Sequence, residues 1–240
     1  MGARRAPAAE PDTVTGHAEG ARAGLLAAIR EALSRAGAAR DEASVRRRLA
    51  QPAANLIPAR SRLPRAEQVA LFETMARKAD AGVERVSRAA AVAALERFLR
   101  VHNLPLEVKL APDPELESYG FGHSGLLRVR QGPAEDADRT SVVSAWRGIA
   151  ETGTLMLLSG REAPSTLNFM PENHVVVLPQ SRVVGAYEEA WQTLRERGKG
   201  FMPRTVNFIT GPSRTADIEQ KIQMGAHGPR RVHILLIEDA

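Results

Sequence analysis

The sequence predicts an α/β fold: a mostly parallel sheet with helices on both faces, preceded by an N-terminal helical arm. Three observations carry this expectation. The runs His174 to Leu178, Thr205 to Ile209 and Val232 to Ile237 are apolar and rich in β-branched residues, the texture of strands buried on both faces. Amphipathic stretches alternate with them, as in strands joined by helical crossovers. A chain of 240 residues with 43% hydrophobic content is also long enough for one substantial core and a smaller appendage.

The elements follow in chain order. Residues 1 to 20 are rich in Ala, Pro, Gly and charge without an apolar period, and are expected to form a disordered tail. Residues 21 to 80 read as the arm. Leu25, Leu26, Ile29 and Leu33 recur at helical spacing before Gly37, and Asp41 caps a short basic helix that ends near Pro52. Two prolines make Asn55 to Pro64 an extended connection, and Val69, Phe72, Met75 and Ala76 form a further apolar stripe within 66 to 79.

Residues 81 to 240 read as the α/β domain. Val83 to Val86 and Leu106 to Leu110 are strand candidates around a helix over Ala89 to Val101. Val142, Ala145, Trp146 and Ile149 lie at i, i+3, i+4 and i+7, which predicts a helix that Gly153 can end in the left-handed conformation. Thr154 to Leu158 is the next strand. Helices are expected over about 185 to 197 and 215 to 224, so the C-terminal end reads strand, helix, strand, helix, strand, a doubly wound order.

Composition excludes several chemistries. Without a cysteine, the chain can form no disulfide, thiolate zinc site, cysteine nucleophile or cysteine-ligated iron-sulfur cluster. No apolar run reaches the roughly 18 residues of a membrane span and no secretory h-region opens the sequence, which makes a cytoplasmic location and no membrane partner the default expectation. The net charge of +5 is concentrated in residues 1 to 100 and is mostly arginine. With aromatics at 4% and no stacking residues interleaved among the cations, nucleic acid is not an expected partner.

Three segments hold candidate chemistry. Ile209 to Glu219 joins a strand to the expected helix. Gly211 allows a sharp turn, the backbone N–H groups of a helix N-terminus attract an anion, and Ser213, Arg214 and Thr215 add donors for a carboxylate or phosphate. Asp217 opposes that anion in the same turn, so a capped, tightly packed turn is the other reading. In Glu151-Thr152-Gly153, the carboxylate of Glu151 would sit at the C-terminus of the expected helix, where the macrodipole raises its pKa toward a general acid or base, or it bonds a neighbouring backbone group. His227, between Ala226 and Gly228, is either a titrating site residue or a turn histidine. His174 opens a strand shortly after Pro171. No two histidines have metal-helix spacing, so neither a zinc site nor any other metal or cofactor is implied.

In order and spacing, Ile-Ala-Glu-Thr-Gly-Thr at 149–154, Gly-Pro-Ser-Arg-Thr-Ala-Asp-Ile-Glu at 211–219 and Gly-Ala-His-Gly-Pro at 225–229 resemble the LUD-domain family, and within it the lactate-utilization protein C group. Pro171-Glu172-Asn173-His174 is similar to a Pro-x-x-His step of that family. The resemblance covers roughly 83 to 239 and has no clear match at 111–140. It implies a fold like that of ribose-5-phosphate isomerase, CoA transferases and formyltetrahydrofolate cyclo-ligase. It also implies a place in a system that oxidises L-lactate to pyruvate, with iron-sulfur and cysteine-rich subunits as partners.

Two functions stay open on these grounds. One is an accessory or binding subunit without a redox centre, holding a small anionic ligand through Gly211, Ser213, Arg214, Thr215 and Asp217 with Thr152 and Gly153. The other is a stand-alone enzyme on an anionic acyl or CoA-linked molecule, with Glu151 and His227 as catalytic residues. The basic arm is, on a third reading, a docking element for acidic partners.

Overall fold

A computed structural model describes residues 14–35, 42–51, 56–198, 202–216, 222–224 and 227–239. Two compact units are present, Met1–Ala53 and Ala54–Ala240. The first holds α1 (Val14–Arg35) and α2 (Glu42–Ala50). The helix α1 begins inside the segment expected to be a tail, and Asp41 lies outside the described residues. Its stripe of Leu25, Leu26, Ile29 and Leu33 is exposed.

The second unit begins well before residue 81, and α3 (Arg65–Lys78) is part of it rather than of the arm. Phe72 and Ala76 on α3 are fully buried. The main sheet contains β1 (Gly82–Ser87), β2 (Glu107–Leu110), β3 (Arg128–Gln131), β4 (Thr140–Ser144), β7 (Asn173–Pro179) and β12 (Arg231–Glu238). Their order is β1-β12-β7-β4-β2-β3 and every pairing is parallel. All seven residues of β7 are buried, as the unbroken Val-Val-Val-Leu run requires of a strand covered on both faces. The helix α4 (Ala91–Val101) buries Ala91, Ala94, Leu95, Phe98 and Leu99 and packs on β1 and β12, while α5 (Pro114–Glu117) adjoins β4.

A second, four-stranded sheet has the order β8-β5-β6-β9, from β5 (Arg147–Ile149), β6 (Thr154–Leu158), β8 (Val183–Val184) and β9 (Val206–Ile209). In it β6 runs antiparallel to both neighbours. Its outer side carries α6 (Tyr187–Glu196), whose Ala190 and Leu194 cluster with Ile149 and Met156.

Three expectations are corrected here. The helix expected over 142–149 is two strands, β4 and β5, because Thr-Ser-Val-Val fits a half- or fully buried pleat better than a helical face. The helix expected over 215–224 is a hairpin of β10 (Arg214–Ala216) and β11 (Ile222–Met224). Finally, β9 is not a central strand of the parallel sheet: it lies at the edge of the second sheet, partly exposed, so the doubly wound order does not extend through it.

Candidate functional site

The three sequence motifs do converge. The backbone N–H of Ser213 donates to the Pro229 carbonyl at 2.8 Å, and Gly228 lies against Ser213, so the 211–214 turn and the 227–229 segment are tied together. From the strand end before it, Thr210 shares a hydrogen bond with Thr154 at 2.6 Å. Thr154 also bonds Thr152 at 2.7 Å and the Tyr187 hydroxyl at 2.9 Å, which closes a set of four mutually satisfied hydroxyls.

Several of the expected site residues also have a structural task. Gly153 has φ +67°, and a Cβ there would stand 2.1 Å from the Ala76 backbone nitrogen. Gly211 has φ +69° and would place a Cβ 1.8 Å from the Ala79 carbonyl oxygen. Both therefore bring a turn into backbone contact with α3 or the residue that follows it. Arg214 forms an ion pair with Asp80. Among the described residues Gly211 is followed by β10 and not by a helix, so this turn lacks the helix N-terminus expected to attract an anion. Thr215 lies in β10, His227 is exposed, and Asp217 lies outside the described residues.

Glu151 is not at a helix C-terminus but in the turn between β5 and β6, 7% exposed. Its Oε1 accepts from the Tyr187 backbone N–H at 3.1 Å, and its own N–H donates to the Gly185 carbonyl at 3.0 Å. The carboxylate thus caps α6, whose N-cap residue Ala186 supplies no side chain for the purpose. Anions are favoured at that end of a helix. Glu151→Ala is expected to lower stability by about 1–2 kcal/mol, the usual cost of losing a cap. Glu151→Gln, which keeps an acceptor oxygen, is expected to lose less; urea unfolding of both variants measures the difference.

His174 is fully buried. The Ser141 hydroxyl donates to the Leu167 carbonyl at 2.7 Å, so its oxygen must accept the 3.0 Å bond from His174 Nδ1–H. This fixes the tautomer and leaves Nε2 a buried lone pair with no partner among the described residues. Burial pushes the His174 pKa down to about 4, with the Leu167 carbonyl opposing. His233, stacked on Phe98 at 4.5 Å, is likewise lowered to about 4, first by burial; Glu84 opposes that, while His102 and Arg97 add to it. Both imidazoles are neutral at neutral pH.

The site that sequence reasoning missed is a cleft of about 460 Å³ at the carboxyl ends of β2 and β4. Within the main sheet the strand that follows β2 in the chain, β3, lies on one side and the strand that follows β4, β7, on the other, and open α/β sheets hold ligands where successive strands diverge in this way. Asp113, which follows β2, accepts from the Glu115 N–H at 2.9 Å and from the Ser144 hydroxyl at the end of β4. Across the cleft, Arg182 Nη1 bonds Glu115 at 2.8 Å and the Ala145 carbonyl at 3.2 Å. Two guanidinium groups lie over the Trp146 ring, Arg147 at 4.6 Å and Arg197 at 4.8 Å from its centre. Such placement over an indole face is attractive to a cation. Burial, Arg182 and Arg65, in that order, lower the Arg147 pKa, and Glu196 opposes them.

Comparison with known proteins supplies the remaining observations. Residues 135–237 match the LUD domain. A protein named lactate utilization protein C from Anoxybacillus flavithermus is 37% identical over 107 residues, which is 44% of this chain and 47% of that one. Its namesake from Geobacillus kaustophilus is 32% identical over 148 residues, 53% of this chain and 60% of that one. That from Bacillus subtilis is 28% identical over 153 residues, 55% and 62%. The matched segments thus span roughly half to three fifths of these relatives. Among solved structures, a DUF162 family protein from Deinococcus radiodurans aligns with a TM-score of 0.56 at 20% identity, covering 73% of this chain and 99% of that one. The likeness extends to the α/β architecture.

Proposed function

We propose that the chain is a lactate-utilization protein C-type component of an L-lactate-oxidising system, acting as an accessory or binding subunit with no redox centre of its own. The observation that carries the reading is the similarity to relatives of that name across the LUD domain. The absence of cysteine, and with it of any thiolate-ligated cluster, fits a division of labour in which iron-sulfur and cysteine-rich partner subunits carry the electrons from lactate. An enzyme built on Glu151 is the less favoured reading, because that carboxylate is committed to the end of α6.

Deleting the gene is expected to abolish growth on L-lactate as sole carbon source while leaving growth on pyruvate intact. A tagged full-length chain is expected to co-purify with cysteine-rich partners. Unimpaired growth on L-lactate removes the proposal. To ask whether the basic arm is the docking element, the truncation must end at Ala53, since cutting to residue 80 also removes α3 from the core.

A further inference from the structure

We propose that the cleft at the carboxyl ends of β2 and β4 binds a small organic anion bearing a hydroxyl group, its anionic head on Arg182 and Arg161 and its hydroxyl on the Asp113–Ser144 pair. Nothing in this inference rests on the lactate-system role, and its failure leaves the growth test of that role standing.

The size of the cleft comes first. About 460 Å³ lies within the range of small-molecule sites, roughly 300–1,000 Å³, and exceeds the needs of a single inorganic ion. Its position at the divergence of β2 and β4 is the one that open α/β sheets use for ligands.

The polar groups are sorted by sign. Both side-chain bonds of Arg182 are made through Nη1, so Nε and Nη2 have no partner among the described residues. Arg161, on the rim, is exposed and likewise has no side-chain partner among the described residues. Arg182 and Arg65 both bear on Arg147 as like charges, while Glu115 and Glu162 are acids that line the cleft. A bound anion relieves that repulsion, and a planar guanidinium fork suits a carboxylate or phosphate head.

Asp113 and Ser144 form the complementary half. The Ser144 proton is given to Asp113, so the serine oxygen keeps its lone pairs and the carboxylate keeps acceptor capacity. Neither group offers the ligand a donor. This end of the cleft therefore accepts an O–H and repels a second anionic group, which distinguishes a hydroxylated anion from a plain one or from a dicarboxylate of similar length. Trp146 and Leu158 supply apolar wall for a short carbon skeleton.

Two ligand sources share this chemistry, hydroxycarboxylates and hydroxylated phosphate esters. Calorimetric titration of the full chain with L-lactate against propionate, and with glycerol 3-phosphate against n-propyl phosphate, separates them, since each pair differs only in hydroxyl groups. The head group that binds identifies the source. In that pair the hydroxylated member is expected to bind at least about tenfold more tightly, the effect of one hydrogen bond to a charged group. Asp113→Asn, which removes the charged acceptor, is expected to erase this preference without weakening the hydroxyl-free analogue. Arg182→Gln is expected to weaken both members by about tenfold or more. Because Arg182 also holds Glu115, Arg161→Ala supplies an independent test of the head-group assignment, with thermal melting to verify that each variant is folded. The proposal is overturned if neither hydroxylated anion binds at concentrations up to about 10 mM, an affinity below that of ordinary small-molecule sites. It is equally overturned if folded Asp113→Asn keeps the preference, or if folded Arg161→Ala and Arg182→Gln both bind as the wild type does.

Discussion

Replacing Gly153 by alanine is expected to unfold the α/β unit or leave it only marginally stable. Two effects add at this position. At φ +67° an L side chain is disfavoured by about 1 kcal/mol. The larger effect is steric: the new Cβ would stand 2.1 Å from the Ala76 nitrogen and 2.5 Å from the Met75 carbonyl carbon, and both obstacles are backbone atoms of a helix that cannot step aside. Moving α3 away would uncover Phe72, which is fully buried and lies against the backbone of Gly148. Separating a packed aromatic from its neighbours costs about 3–5 kcal/mol, a large part of the 5–15 kcal/mol by which a typical domain is stable. Gly120→Ala provides the control. Gly120 has φ +83° with nothing within 4 Å of the added Cβ, so this variant carries the conformational cost alone. Urea unfolding of the two variants should differ by several kcal/mol; equal losses would mean that contact with α3 contributes nothing.

Acid is expected to destabilise the unit steeply between about pH 6.5 and 4. His174 and His233 each titrate near 6.5 when unfolded and at about 4 when folded. Their folded values are depressed, so the unfolded chain binds more protons across that window. The stabilisation is therefore complete above pH 6.5 and is lost as the pH falls toward 4. The gap corresponds to roughly 3 kcal/mol for each histidine, and two such groups together rival the stability of an ordinary domain. His174→Asn retains a donor near Nδ1 for Ser141 but cannot ionise. It should halve the slope of stability against pH in this window, at some cost in stability at neutral pH; an unchanged slope would remove His174 from the account.

The longest buried strands were legible and several shorter segments were not. Strands such as β7 and β12 announce themselves because a run like Val-Val-Val-Leu has no polar face to show to water. The segment 142–149 misleads for a definable reason. Apolar residues at i, i+3, i+4 and i+7 also arise when a fully buried strand, β4, is followed by a turn and a second short strand, so the helical period is an accident of two pleats. The error at 215–224 had a larger consequence, since it placed a helix N-terminus where a hairpin stands and so suggested an anion cradle around Gly211.

The glycines of the motifs were correctly singled out as positions with special backbone, but their neighbour is α3, nearly 80 to more than 130 positions earlier in the chain, which no local pattern encodes. The cleft was illegible for a related reason. Asp113 and Arg182 come from two separate connections and Ser144 from the end of β4, and Asp113 falls in the stretch without a recognisable match. Each alone is an ordinary surface residue; only the parallel pairing of β2 with β4 and of β4 with β7 makes them neighbours.

The pairing of β1 with β12 joins segments about 150 positions apart, Gly82 opposite His233 at one end and Ser87 opposite Glu238 at the other. During synthesis at roughly 5–20 residues per second, β1 leaves the ribosome on the order of ten seconds before its partner exists. Through that interval its backbone donors and acceptors must be satisfied by water or a chaperone, and a nascent chain halted before residue 231 would present an open seam between β1 and β7.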